Sequence, residues 1–191
     1  MELCSGMPLF HHVKKLPDQR LPEETARIVF RQLMLGVGYM HSRGRAHRDL
    51  KLDNLLFDAE TNKVKIIDFG FSLATTSSQP CSSYCGTPHY MSPEIVKKTP
   101  FNAFASDIWA CGVILYLLVA GRLPFFGEFE ADLYRKIQSG KFAPLPADVQ
   151  NGSLKVLLSS IFQTNEALRP CADDILRSPW LQQNFDPASE P

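Results

Sequence analysis

The chain has 191 residues, of which 45% are hydrophobic and 21% charged, a balance typical of a globular domain rather than a disordered or fibrous chain. Twenty Lys and Arg residues offset twenty Asp and Glu residues, so the net charge is zero. A neutral chain argues against a general surface for nucleic acid or anionic membrane. One domain is the expected content at this length.

The cysteines are scattered and form no CxxC pair, which predicts free thiols in a reducing compartment rather than disulfides or a zinc site. The first residues do not resemble a signal peptide. We therefore expect a cytoplasmic protein, with the nucleus left open. The cysteines are Cys4, Cys81, Cys85, Cys111 and Cys171.

The first predicted helix begins at Pro22, which two acidic residues follow, and it ends near Gly44. Apolar residues recur at three- and four-residue spacing along it, as on one buried helix face. Two strand-like runs, 54–57 and 63–67, follow on either side of a polar turn of hairpin length. The apolar positions of the helix are Ala26, Val29, Phe30, Leu33, Val37 and Met40.

Residues 68–94 show no sustained periodicity and predict a long functional loop. A helix over 105–120 is apolar nearly all round, which indicates a central buried helix. Its charge-free run is shorter than the ~18 residues of a membrane span, so we expect no membrane span. Further helices are predicted at 132–139, 154–162, 173–176 and around Trp180. The predicted fold is thus mainly α with one small β-hairpin, followed by a polar tail over 182–191.

Three motifs carry the chemistry. Residues 47–54 read His-Arg-Asp-Leu-Lys-Leu-Asp-Asn and match every fixed position of the H-R-D-L-x-x-x-N catalytic loop. Asp68-Phe69-Gly70 follows the second strand, and Ser92-Pro93-Glu94 closes the long loop. A single Asp-Phe-Gly tripeptide is weak evidence, but the ordered set of three is strong.

With these motifs the chain resembles the catalytic domain of eukaryotic-type serine/threonine protein kinases. The resemblance covers residues 1–181 and implies the hinge and the large C-terminal lobe, with the catalytic loop at 47–54 and the activation segment at 68–94. Lys51 and the pair Gly86-Thr87 are of the serine/threonine type. The amino-acid sequence at 50–56 and 178–180 is most similar to that of calcium/calmodulin-dependent and AMP-activated kinases.

The resemblance implies ATP and Mg²⁺ as cofactors and assigns the residues that handle them. Asp49 would accept the proton of the substrate hydroxyl, and Asn54 and Asp68 would hold magnesium. Leu56 would lie under the adenine, and backbone groups of Glu2 and Cys4 would meet its edge. Lys51 would touch the transferring phosphate, and Thr87 would bond the Asp49/Lys51 pair and favour serine or threonine acceptors.

The resemblance also assigns regulatory and structural residues. Arg48 would pair with a phosphate on Ser83, which an upstream kinase would add. Glu94 of the Ser-Pro-Glu element would form an ion pair with Arg169. The structural positions of the motifs are His47, Phe69, Gly70, Glu94, Asp107 and Arg169.

The 191 residues contain no Gly-rich loop and no V-A-I-K lysine, both of which belong to the β-rich N-terminal lobe of the family. The sequence therefore leads us to expect that this lobe is missing. One reading is a partial sequence of an active kinase that phosphorylates protein substrates. The other is a truncated, catalytically poor scaffold or decoy that binds protein partners. A helical adaptor unrelated to kinases would require every motif to be coincidental.

Overall fold

The computed structural model describes residues 6–149 and 151–183, and it is mainly helical over these ranges. Glu2 and Cys4, whose backbone was predicted to meet the adenine, lie outside the described residues, as does the tail from residue 184 onward. The strands are β1 (Met7–Pro8), β2 (Arg45–Ala46), β3 (Leu55–Asp58), β4 (Lys63–Ile66) and β5 (Leu73–Ala74). The helices are α1 (Leu9–Lys14), α2 (Glu23–Ser42), α3 (Pro93–Lys97), α4 (Ala103–Ala120), α5 (Glu130–Ser139), α6 (Gly152–Ile161), α7 (Ala172–Leu176) and α8 (Pro179–Gln182).

Helix α4 is the centre of the main core. Its mean hydropathy of 1.9 and its length would suit a membrane span, but 83% of it is buried inside the fold. The side chain of Asn102 caps it by accepting hydrogen bonds from the amides of Phe104 and Ala105. Gly121 ends it in the left-handed conformation, with φ of 68°. Helices α2 and α6 pack against α4. The core helix predicted from the apolar run is therefore present.

The small sheet is larger than the predicted hairpin. Strand β3 pairs with β4 in the predicted antiparallel arrangement, and β1 adds a third strand at the other edge of β3. Helix α1 follows β1 directly and packs on β3. A strand of two residues has no alternating pattern to detect, which explains why the sequence did not indicate β1.

The segment 68–94 is more ordered than its lack of periodicity suggested. Strand β5 pairs with β2, which precedes the catalytic loop. Further along, Cys81 and Phe101 exchange two backbone hydrogen bonds of 2.8 and 3.0 Å. These contacts close a second, smaller apolar cluster that includes Ala46, Cys81, Ile95, Phe101 and Ala103. These backbone pairings therefore hold the loop against the rest of the fold.

Candidate active site

The catalytic loop is anchored to the central helix by one buried carboxylate. Asp107 of α4, 1% exposed, accepts hydrogen bonds from the backbone amides of His47 and Arg48, each at 2.8 Å. Nε2 of His41, in the last turn of α2, lies 2.9 Å from the same carboxylate. Arg48 adopts the left-handed backbone region, with φ of 69°. The orientation of the loop is thus set from the protein core.

Four of the predicted site residues form one hydrogen-bonded network. Asp49 is nearly buried, and its Oδ2 lies 2.7 Å from Nζ of Lys51. The hydroxyl of Thr87 donates to Asp49 Oδ1 at 3.0 Å, and Lys51 Nζ lies 3.2 Å from the same hydroxyl. Asn54 Nδ2 donates to the Asp49 carbonyl at 2.8 Å. Thr87 is 38 residues from Asp49, so the fold of the activation segment brings them together.

Asn54 and Asp68 occupy neighbouring positions across the β3–β4 pair. The amide of Ile67, the residue before Asp68, donates to the Asn54 carbonyl at 2.9 Å. Asp68 has a φ of 63°, and its Oδ1 accepts from the Gly70 amide at 3.2 Å. Since Asn54 uses its Nδ2 toward Asp49, its amide oxygen remains available as a donor atom toward a cation.

These two oxygen donors fit magnesium. Mg²⁺ prefers oxygen ligands and is commonly held by one or two carboxylates together with substrate phosphates and water. Within 6–149 and 151–183, no group of three or more His, Cys, Asp or Glu side chains is arranged to hold a metal by itself. An ion held by these two oxygen donors would need water or a phosphate-bearing ligand to complete its coordination.

Leu56, assigned to the adenine, and the structural positions Phe69 and His47 complete this part of the predicted site. Leu56 is half-buried in β3, opposite Pro8 on one side and Lys65 on the other. The Phe69 ring is 50% exposed, and its centroid lies 5.2 Å from that of His47. His47 is fully buried and contacts the Ile67 carbonyl at 3.1 Å through Nε2. Its ring thus connects the catalytic loop to the backbone just before Asp68.

The guanidinium of Arg48 reaches the activation segment at three points. Its Nε donates to the Phe71 carbonyl at 2.7 Å, and Nη1 lies 3.4 Å from the Ser83 carbonyl and 3.7 Å from Cys81 Sγ. Ser83 itself is exposed. The fold therefore places the predicted phosphorylation position beside the predicted phosphate-binding arginine, although only the backbone of Ser83 contacts it.

Glu94 and Arg169 form a buried two-pronged ion pair. Nη1 and Nη2 of Arg169 lie 2.5 and 2.7 Å from the two oxygens of Glu94, and the Arg169 side chain is fully buried. Arg169 also donates to the carbonyls of Ala105 and Gln163 at 3.0 and 2.9 Å. Its guanidinium lies 5.0 Å from the Trp109 ring centroid. This pair attaches the end of the activation segment to α4.

Two titratable groups near the site keep their protons at neutral pH. Burial raises the pKa of the Cys85 thiol, and the nearby Arg48 charge opposes this only in part. Burial also raises the pKa of Tyr90 to about 12. Neither group is therefore a candidate base.

Sequence reasoning missed two residues that shape the site. His41 bonds Asp107, and Cys81 is buried against Arg48. The position of His41 in the last turn of a predicted helix gave no sign of a partner 66 residues away. Cys81 lies in a loop without periodicity, where burial depends on its pairing with Phe101.

A carboxylate, a lysine and a threonine converge here beside two oxygen donors, which is the arrangement that the sequence motifs predicted. The model of the family described as protein kinase domain matches residues 1–181. The chain belongs to the protein kinase domain family, and among the relatives that it resembles some are named serine/threonine-protein kinases.

The chain is 40% identical over 190 residues to CBL-interacting protein kinase 31 of Oryza sativa subsp. japonica, covering 98% of this chain and 41% of the relative. It is 38% identical over 188 residues to CBL-interacting serine/threonine-protein kinase 18 of Arabidopsis thaliana, covering 97% and 35%. It is 36% identical over 194 residues to sperm motility kinase 3A of Mus musculus, covering 100% and 38%. The chain thus spans about two fifths of the length of these relatives.

Proposed function

We propose that these residues form the catalytic C-terminal lobe of a serine/threonine protein kinase, which transfers the γ-phosphate of ATP to hydroxyls of protein substrates. The network of Asp49, Lys51 and Thr87 carries this proposal. It combines a carboxylate able to receive a proton, a cation beside it and a threonine that fixes both. The names of the relatives support the same reaction.

In the proposed reaction Asp49 aligns the substrate hydroxyl and accepts its proton as the oxygen attacks the γ-phosphorus, whose bond to the departing ADP breaks. Each carboxylate oxygen of Asp49 already accepts a hydrogen bond from Thr87 or Lys51, so the carboxylate cannot rotate freely. Fixed orientation, together with stabilisation of charge, is what a protein contributes to phosphoryl transfer. Lys51 supplies positive charge next to the position of the incoming oxygen.

Asn54 and Asp68 would hold magnesium together with ATP, and the bound ion would neutralise negative charge on the phosphates. Asn54 also has a role that does not depend on the ion. Asn54 also bonds the Asp49 carbonyl, so one side chain ties the cofactor position to the position of the base.

Regulation by phosphorylation of Ser83 is part of this proposal. A phosphate there would add up to two negative charges and three acceptor oxygens beside Arg48. Arg48 already contacts the backbone of Phe71 and Ser83, so the phosphate would strengthen an arrangement that exists without it. We also propose a cytoplasmic location, protein substrates with serine or threonine acceptors, and an upstream kinase as a partner.

A scaffold or decoy is the second candidate function. Phe69 and Phe71 are 50% and 47% exposed, and a surface of this kind favours binding to another protein. This candidate requires no phosphoryl transfer, so an activity measurement separates the two.

The test joins the small lobe of CBL-interacting protein kinase 31 to the start of this chain, since the 191 residues contain no Gly-rich loop. The joined protein is given Mg²⁺, γ-labelled ATP and a mixed peptide library. We expect label on serine and threonine peptides but not on tyrosine peptides. The 191 residues by themselves should transfer little or none.

The matched control is Asp49→Asn in the joined protein, which should reduce transfer by about 10²–10⁴-fold because the base is lost. Circular dichroism establishes that both versions are folded. A folded joined protein with no more transfer than its Asp49→Asn variant would refute the kinase proposal and favour the scaffold.

A further inference from the structure

A cavity of about 380 Å³ lies between α2, the first turns of α4, and α7. Small residues leave this space open: they are Gly38 and Ser42 on α2, Ala105 on α4 and Ala172 on α7. None of the residues assigned to ATP, magnesium or the acceptor hydroxyl lines the cavity, so it is separate from the active site. Its volume lies in the range of pockets that bind small molecules.

One wall of the cavity is apolar. The half-buried ring of Phe104 in α4 lies with its centroid 4.5 Å from that of His41, and the two ring planes meet at 31°. Ile108, which is buried one turn further along α4, extends this wall, as does Ala167. The body of an apolar ligand gains binding free energy against such a wall, because it removes apolar surface from water.

Two carboxylate side chains also line the cavity, and neither has a cationic partner within 6–149 and 151–183. Glu166 is half-buried, and its Oε2 accepts a hydrogen bond from the Asn102 amide at 3.0 Å, which leaves Oε1 available. The side chain of Asp173 accepts no hydrogen bond from the described part of the chain. Two carboxylates in this state attract a ligand that carries positive charge and hydrogen-bond donors.

The basic groups beside the cavity already have partners. The guanidinium of Arg169 bonds both oxygens of Glu94 and two backbone carbonyls. Nε2 of His41 lies 2.9 Å from the carboxylate of Asp107. The cavity is not lined by the other basic residues nearby in sequence, which are Arg43, Arg45 and Arg177. The cavity therefore combines an apolar wall with an excess of negative charge.

We infer that this cavity, here called the α2–α7 cavity, binds a small organic cation: an ammonium group on an aromatic or alkyl body. The ammonium group donates hydrogen bonds to the carboxylates of Glu166 and Asp173. The body packs on Phe104 and Ile108, and the Phe104 ring adds the attraction between a cation and an aromatic face. The assignment rests on the cavity and its lining, so it does not depend on the proposed phosphoryl transfer.

The test titrates the full 191-residue chain at neutral pH with three compounds that share a benzene ring on a short chain and differ in charge: phenethylammonium, phenethyl alcohol and hydrocinnamate. Ligand-observed NMR yields the Kd of each compound. The wild type is compared with a charge variant, Glu166→Gln/Asp173→Asn, and with Ala105→Leu, which fills the cavity. The matched control is Glu24→Gln/Glu128→Gln, which removes two exposed carboxylates that do not line the cavity. Circular dichroism monitors folding of every variant.

We expect the wild type to bind phenethylammonium at least about tenfold more tightly than phenethyl alcohol, because only the ammonium group forms charged hydrogen bonds with the two carboxylates. Hydrocinnamate should bind most weakly, since its carboxylate is repelled. The charge variant should bind the ammonium compound no more tightly than the alcohol. Ala105→Leu should bind neither compound, and the control should behave as the wild type.

Equal affinity of the wild type and the charge variant for phenethylammonium would overturn the inference, because the cation would then bind elsewhere. So would equal affinity of the wild type for the ammonium compound and the alcohol, tightest binding of hydrocinnamate, or no binding of the cation. Because no nucleotide or acceptor is present, these outcomes are independent of phosphoryl transfer. A failed transfer assay with selective binding of the cation would refute the proposed function and leave the α2–α7 cavity as a ligand site.

Discussion

Replacement of Arg169 by alanine tests the role of the buried ion pair directly. The change leaves the Glu94 carboxylate, which is 7% exposed, without its cation. Removing one partner of a buried pair costs about 3–5 kcal/mol, because the remaining charge has lost both water and its counter-ion. The Ala105 and Gln163 carbonyls each lose a donor as well, so the upper half of this range is expected.

The assay is urea unfolding, followed by circular dichroism and by the fluorescence of Trp109, which lies under the guanidinium. For a chain of this size an expected loss of about 4–5 kcal/mol corresponds to a decrease in Tm of roughly 8–20 °C. The matched control is Arg177→Ala, which breaks an exposed Arg177–Asp174 pair of 2.7 Å. Exposed pairs contribute at most about 1 kcal/mol.

Arg169→Lys provides a second variant in case Arg169→Ala does not fold. Lysine keeps the positive charge but cannot bond both oxygens of Glu94, so its unfolding free energy should fall between those of Arg169→Ala and the wild type. If Arg169→Ala costs no more than Arg177→Ala, the buried pair does not stabilise the fold and the reasoning is refuted.

Three further predictions concern backbone geometry, a thiol and a hydroxyl. Gly121→Ala should lower the unfolding free energy by at least about 2 kcal/mol, because residue 121 has a positive φ and its Cβ would lie 2.1 Å from a carbonyl oxygen. The control Gly152→Ala has open space around the new Cβ, so the same urea titration should show an unchanged or higher unfolding free energy. Iodoacetamide should alkylate Cys85 more slowly than the exposed Cys171, because Cys85 is partly buried and burial raises its pKa, which disfavours the reactive thiolate. Mass spectrometry measures both rates, and equal rates at neutral pH would contradict this. Phosphopeptide mapping of the protein from cells in which it is active should find phosphate on Ser83, and a map without it would contradict the assignment of Arg48 as its partner.

The fold was predictable where a regular pattern of apolar residues extended over many consecutive positions. The three- and four-residue spacing gave α2, and the nearly continuous apolar run gave α4. Helix α1 escaped notice because it has only six residues, among them two histidines and a lysine. Strand β1 and the Cys81–Phe101 bridge depend on partners distant in sequence, and no local pattern reports them.

The candidate site divides in the same way. Asp49, Lys51 and Asn54 lie within one short motif, so their grouping followed from the sequence. Thr87 and the Glu94–Arg169 pair came only from the resemblance, because no spacing rule connects residues so far apart. The contact of His41 with Asp107 was missed altogether, since a histidine at the end of an amphipathic helix has many ordinary explanations.

The left-handed backbone at Arg48 and Asp68 limits how this protein can be stabilised. Side chains at positive φ are disfavoured by roughly 1–2 kcal/mol relative to the ordinary helical region, and glycine would relieve that strain. Yet glycine at either position would delete the guanidinium beside Ser83 or the carboxylate beside Asn54. A search for thermostable variants that scores only folding would therefore favour glycine at these positions, as at the other non-glycine residues with positive φ, and would remove the two charged groups assigned to phosphate and magnesium.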